Sequence, residues 1–130
     1  MKKAHKERLA ALGRKQTKYT GLDTFPKPKG LAEVTMTSDE VAAVCPVTGQ
    51  PDWYTVKVVY FPAKLCIESK SMKLFLQSFR NKGVFCEKLA TVIVEEVRSA
   101  VRCHVNVYVT QKSRGGISIV AYANAPEESL

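Results

Sequence analysis

Histidine and tryptophan are scarce in this chain: two His and one Trp in 130 residues, beside four cysteines. The cysteines, at positions 45, 66, 86 and 103, form no Cys-x-x-Cys pair and have no histidine pair nearby, which argues against a structural zinc site and leaves no metal to expect. In a reducing compartment they should be thiols, and Cys66 and Cys103 read as small buried hydrophobes. No stretch is long and apolar enough to span a bilayer, and the N-terminus lacks an apolar signal core, so the chain reads as soluble and cytoplasmic. No Gly-x-Gly-x-x-Gly follows a strand-like segment, which excludes a Rossmann site for a dinucleotide. There is no internal repeat.

What is present begins with charge. The formal net charge is +8, but residues 1–30 carry nine Lys or Arg against two acids, and residues 31–130 carry eleven against ten. The positive balance belongs to a leader, which weakens the usual inference from a basic protein to a nucleic-acid-binding face. An apolar fraction of 45% in one domain's length is enough to bury a core without disulfides. The expected organisation is a basic arm and extended lead-in over 1–30, a single catalytic-size domain over 31–124, and a short tail over 125–130.

Taken in order, Leu9 and Leu12 suit a short helix within the arm, and the prolines at 26 and 28 stiffen the lead-in. From residue 31, Ala32, Val34 and Met36 alternate with Glu33, Thr35 and Thr37, as in a half-buried strand. Residues 39–43 suit a turn of helix, and residues 45–52 a loop. A second strand spans 54–61. A helix over 68–81 carries Met72, Phe75, Leu76 and Phe79 at helical spacing, with Gly83 suited to its C-terminal cap. A second helix over 85–101 places Phe85, Leu89, Val92, Ile93, Val97 and Ala100 on one stripe. Valines 105, 107 and 109 then alternate with polar residues, and 113–116 turn the chain into a last strand over 117–122. The order ββααββ predicts an α+β fold, an antiparallel four-stranded sheet with two helices on one face, finished on its other side or edges by copies of itself.

Two blocks carry chemistry. In Glu68-Ser69-Lys70-Ser71-Met72-Lys73-Leu74-Phe75, the two lysines sit three apart on a helix, where both ammonium groups can reach one anion, and Ser69 or Ser71 can start that helix with its free N–H groups. The same pattern also describes a solvated helix edge. In Val44-Cys45-Pro46-Val47-Thr48-Gly49-Gln50-Pro51-Asp52-Trp53, Pro46 biases Cys45 towards extended backbone and Gly49 permits a tight turn.

Together these blocks resemble those of the nitrile reductases that convert 7-cyano-7-deazaguanine to its aminomethyl form on the queuosine pathway of transfer-RNA modification, over residues 22–122. The resemblance implies the tunnelling fold, in which four-stranded sheets join edge to edge into an oligomeric barrel, here a decamer of two stacked pentamers with active sites between subunits. It implies NADPH as cofactor, gripped by Lys70 and Lys73, with Arg114 beside two glycines as a further phosphate contact. It implies Cys45 as the nucleophile that forms a thioimide with the nitrile, and Asp52 as the proton shuttle. Glu87 would accept hydrogen bonds from the substrate ring, Phe85 would flank it, and Glu68 and Ser69 would complete the substrate site. Many relatives read Phe-His-Glu where this chain reads Phe85-Cys86-Glu87, which leaves Asp52 to move protons alone or through water; Cys86 could also approach Cys45 as a disulfide partner.

Two other functions fit parts of the pattern. An amidinotransferase of similar fold would use the same Cys45 and Asp52 and add ammonia, but relatives of that kind lack the lysine motif. A non-catalytic RNA-binding module would depend on the basic leader and make Cys45 dispensable.

Overall fold

Alternation in the sequence becomes a sheet with one wet and one dry side. The structure, a computed structural model, describes residues 18–126, so the helix expected near Leu9 and Leu12, and the last four residues, lie outside the described part. The elements in chain order are β1 (Thr24–Pro26), β2 (Val34–Val44), β3 (Pro51–Tyr60), β4 (Leu65–Ile67), α1 (Ser69–Gln77), α2 (Cys86–Val101), β5 (Val105–Arg114) and β6 (Ile117–Ala125). The main sheet is four-stranded in the order β2-β3-β5-β6 with every neighbouring pair antiparallel. The expected α+β class and ββααββ order hold for this sheet.

Val56 and Val58 of β3 pair with Val109 and Val107 of β5, so the β-branched residues meet across the ladder and point to one face. That face is covered by the helices. Leu89, Ile93 and Val97 of α2 and Met72, Phe75 and Leu76 of α1 join the valines in a single buried cluster. The opposite face carries Lys57, Tyr108 and Tyr122, with the two tyrosine rings 4.9 Å apart and the Lys57 ammonium 4.9 Å from the Tyr108 ring. On the same side Val120 and Tyr122 are exposed in the single chain. No helix among the described residues is long and apolar enough to cross a membrane.

Three expectations are corrected, and the lead-in, extended as expected, also gains a partner. Residues 39–43 are strand, not helix: β2 runs on to Val44, and a register shift between Ser38 and Val41 breaks the alternation there. The lead-in pairs: β1 forms a two-stranded sheet with β4, Phe25 opposite Cys66. The first helix stops at Gln77 with Ser78 as its C-cap, and Gly83 does not cap it. Gly83 is small for another reason, since a Cβ there would lie 3.4 Å from Pro46 Cα. Finally, Phe85 is not on the buried stripe of α2; it is the residue before the helix and 52% exposed, while Cys86 takes the inward position.

Candidate active site

Cys45 follows the last residue of β2 and starts a turn closed by its own backbone. Its N–H donates to the Gln50 carbonyl and its carbonyl accepts from the Gly49 N–H, both at 2.8 Å. Gly49 has φ of 74°, the left-handed region that glycine enters at little cost. The turn residues Pro46 to Gln50 are exposed, yet Cys45 itself is only 6% exposed at their base. The Thr48 hydroxyl, then the N–H groups of Thr48 and Val47, and last the Arg114 side chain stabilise its thiolate, against burial, and draw its pKa from the usual 9.0 to about 7. A thiol so placed is a nucleophile at neutral pH.

Asp52, expected in the loop, is the first buried residue of β3, facing the helices in line with Tyr54, Val56 and Val58. Arg114, at the tip end of β5, reaches it: Nη1 lies 2.6 Å from Oδ1. The hairpin that carries Arg114 closes through Gly115 and Gly116, both at positive φ, which is the geometry of a two-residue turn between Arg114 and its partner Ile117. The single chain thus brings Arg114 to the thiol and carboxylate, while Lys70 and Lys73, with which the sequence grouped it, lie on α1.

The start of α2 is tied to the same loop. Val44 N–H donates to the Lys82 carbonyl at 2.9 Å, and Val84 N–H donates to the Val44 carbonyl at 3.1 Å. This lashes the residue before Cys45 to the segment that leads into Phe85, Cys86 and Glu87. Glu87 lies in the first turn of α2 and is exposed, as its place off the apolar stripe required. Cys86 is buried with its Sγ 3.6 Å from the Val109 carbonyl, and burial foremost pushes its pKa up. Cys45 and Cys86 are both free thiols.

One residue escaped the sequence reading. Tyr54 is fully buried beside Asp52, and its hydroxyl has no hydrogen-bond partner among the described residues. Leaving a hydroxyl buried in this way costs about 1–3 kcal/mol. Burial and then the Asp52 charge push its ionisation up to about 12. In the sequence it passed for one more aromatic strand former.

The lysine block forms a second region. Glu68 is the N-cap of α1, its carboxylate accepting from Lys70 N–H at 2.7 Å and Ser71 N–H at 2.9 Å. Ser71 is internal to this arrangement, its Oγ donating to the Glu68 carbonyl and accepting from Asp23 N–H. The helix-start role given to Ser69 or Ser71 thus belongs to Glu68, and two of the first-turn N–H groups are already occupied. An anion here is left to the side chains of Lys70 and Lys73. Ser69 and Lys73 line a groove between α1 and β2 whose other walls include Met36, Thr37, Val58 and Met72. The Glu40 side chain shares that lining, so the groove presents one ammonium group, one carboxylate, hydroxyls and apolar walls.

The fold is the tunnelling type, and a lowered-pKa thiol beside an ion-paired carboxylate is the equipment of enzymes that attack an electrophilic carbon. A protein-family model described as QueF-like protein matches residues 51–129. Proteins named NADPH-dependent 7-cyano-7-deazaguanine reductase are similar over most of the chain. One from Frankia casuarinae is 37% identical, covering 93% of this chain and 98% of that one. One from Syntrophus aciditrophicus is 42% identical, covering 89% and 85%, and one from Bacteroides fragilis is 38% identical, covering 92% and 84%. Among solved structures, the apo form of an archaeosine synthase described as QueF-Like superposes with a TM-score of 0.68 at 25% identity, over 76% of this chain and 95% of that one. The chain belongs to the QueF-like family.

Proposed function

We propose that this chain is an NADPH-dependent 7-cyano-7-deazaguanine reductase that works through a covalent thioimide on Cys45, in the queuosine branch of transfer-RNA modification. The observation that carries the mechanism is the Cys45 thiol, drawn to a pKa of about 7 and sharing Arg114 with Asp52. A nitrile carbon is electrophilic but resists hydride in water, so covalent attachment precedes reduction. The Cys45 thiolate adds to the nitrile carbon, the C–N π pair moves to nitrogen, and the proton that nitrogen needs comes by way of Asp52. Bound NADPH supplies the two hydrides. Once the carbon is reduced, the C–S bond breaks, the sulfur leaves as thiolate and an imine remains for the second reduction and protonation to the primary amine.

Glu87 is the acceptor for the N–H edge of the substrate ring, with the exposed Phe85 flanking it and Glu68 and Ser69 contributing from the start of α1. Lys70 and Lys73 hold the cofactor phosphates. Since the thiol and the lysine groove occupy different parts of the chain, the reading includes an assembly: sheets joined edge to edge into a barrel, as a decamer of two pentamers, with sites completed between copies. The edge strands of the four-stranded sheet, β2 and β6, support that closure, because each has a ladder partner on one side only.

The test is cofactor consumption by the purified protein with 7-cyano-7-deazaguanine, beside Cys45→Ala. Oxidation of about two NADPH per nitrile by the parent, and none by the variant, is the expected result. A covalent adduct without NADPH consumption would instead assign addition of ammonia to the same Cys45 intermediate.

A further inference from the structure

Two tyrosines stand on the helix-facing side of β3, and both are fully buried. They differ at the oxygen. The Tyr60 hydroxyl accepts the Ile67 N–H at 2.9 Å, joining the main sheet to β4. The Tyr54 hydroxyl meets no partner among the described residues. A phenylalanine would fill the same volume without stranding a polar atom, so packing gives no reason for this oxygen.

Its surroundings do. Asp52 is two residues earlier on the same face, which makes it the next side chain along the strand. Across the ladders Tyr54 is opposite Val41 of β2 and Gln111 of β5. Cys86 at the head of α2 sits over Val109, which pairs with Val56, one inward step from Tyr54. The phenol therefore shares its face of β3 with the carboxylate, beyond hydrogen-bond distance of it in the resting protein, on the side covered by the start of α2.

The two groups able to hold Asp52 are anchored differently. Arg114 comes from the tip of the β5–β6 hairpin, with its side chain 45% exposed, and it also serves the Cys45 thiol. Tyr54 is fixed in a central strand. The ion pair runs through Oδ1 alone, and an Asp52 that takes up a proton no longer attracts the guanidinium, which frees Arg114 to withdraw at that step.

We propose that Tyr54 is a positioning residue for Asp52: when Arg114 leaves the carboxyl group, the phenol O–H hydrogen-bonds it and keeps it directed at the atom bound to Cys45. The inference rests on the reductase reading. Burial and the neighbouring carboxylate keep the phenol protonated well beyond neutral pH, so the donor is always present. An orphan hydroxyl in the resting protein is then a bond reserved for the reacting complex.

Tyr54→Phe tests this through stability and turnover together. The expected variant has a thermal midpoint equal to or above the parent's, an unchanged rate of Cys45 alkylation, an unchanged KM for the nitrile, and a kcat reduced about tenfold or more. A kcat equal to the parent's would overturn the role. So would a loss of kcat accompanied by a lower midpoint or by failure to fold, since the oxygen would then be structural. A parent that does not consume NADPH would remove the reductase reading itself, and this role of Tyr54 with it.

Discussion

Arg114 and Asp52 face each other at 2.6 Å, joining the tip of the last hairpin to the first buried position of β3. They are far apart in sequence, where Asp52 reads as a proton shuttle and Arg114 as a phosphate contact. The pairing makes Arg114 part of the thiol and carboxylate centre, and that yields a prediction which separates the two assignments. In Arg114→Ala, kcat falls about 10- to 100-fold while the KM for NADPH stays within about twofold of the parent's. Steady-state kinetics with varied NADPH checks it. A large rise in that KM with kcat preserved would return Arg114 to the cofactor.

The Cys45 thiol has its own supports, led by the Thr48 hydroxyl. Because they lower the pKa to about 7, the thiolate is half formed near neutrality, and alkylation by iodoacetamide should rise through pH 7 instead of near pH 9. Thr48→Val removes the largest of those supports and moves the pKa back up. The thiolate fraction at pH 7 should drop from about a half to about a tenth, with the alkylation rate following it. Rates measured from pH 5 to 10 give both curves, and coincident curves would exclude Thr48 as the cause.

Lys73 lines the groove between α1 and β2, and the capping of α1 by Glu68 leaves phosphate binding there to side chains. Lys73→Ala should raise the KM for NADPH about tenfold, ~1.4 kcal/mol, without changing Cys45 alkylation. In the parent the same KM should climb with added salt, because the contact is a charge pair near the surface. Titrating NADPH at two ionic strengths in both proteins tests this, and a salt effect of equal size in parent and variant would count against the contact.

Much of the fold could be read from local pattern. The valines of β5 and the stripe of α1 announce themselves by period, since one face of each is dry and neighbouring residues along the chain share the reason for it. Most of the failures lie where the cause is distant in sequence; the Glu68 cap is the local exception, a carboxylate in the role expected of Ser69 or Ser71. Residues 39–43 include Asp39 and Glu40, and only pairing with β3 across a register shift keeps them extended. The strands β1 and β4 are three residues each, too short for a pattern, and exist because they meet each other. At the site, the Cys45 turn was legible from Pro46 and Gly49. The Arg114 contact and the unpartnered Tyr54 hydroxyl were not, because both depend on which strands adjoin.

Glu68 raises the last question, because the sequence set it beside the substrate while the geometry shows its carboxylate spending both oxygens on α1. It is 6% exposed and bonds the N–H groups of Lys70 and Ser71. Its backbone N–H also bonds the Asp23 carbonyl, next to β1, so the start of α1, β4 and the lead-in meet at this residue. Glu68→Ala removes a buried charged cap and should cost about 1–2 kcal/mol, lowering the thermal midpoint by several degrees even without ligand. Glu68→Gln keeps an acceptor oxygen for one of the two N–H groups and should lose less. If the apo midpoints of both variants match the parent's while the KM for the nitrile rises, the carboxylate belongs to the substrate after all; if the midpoints fall in the order Gln then Ala, its first function is to start the helix that carries Lys70 and Lys73.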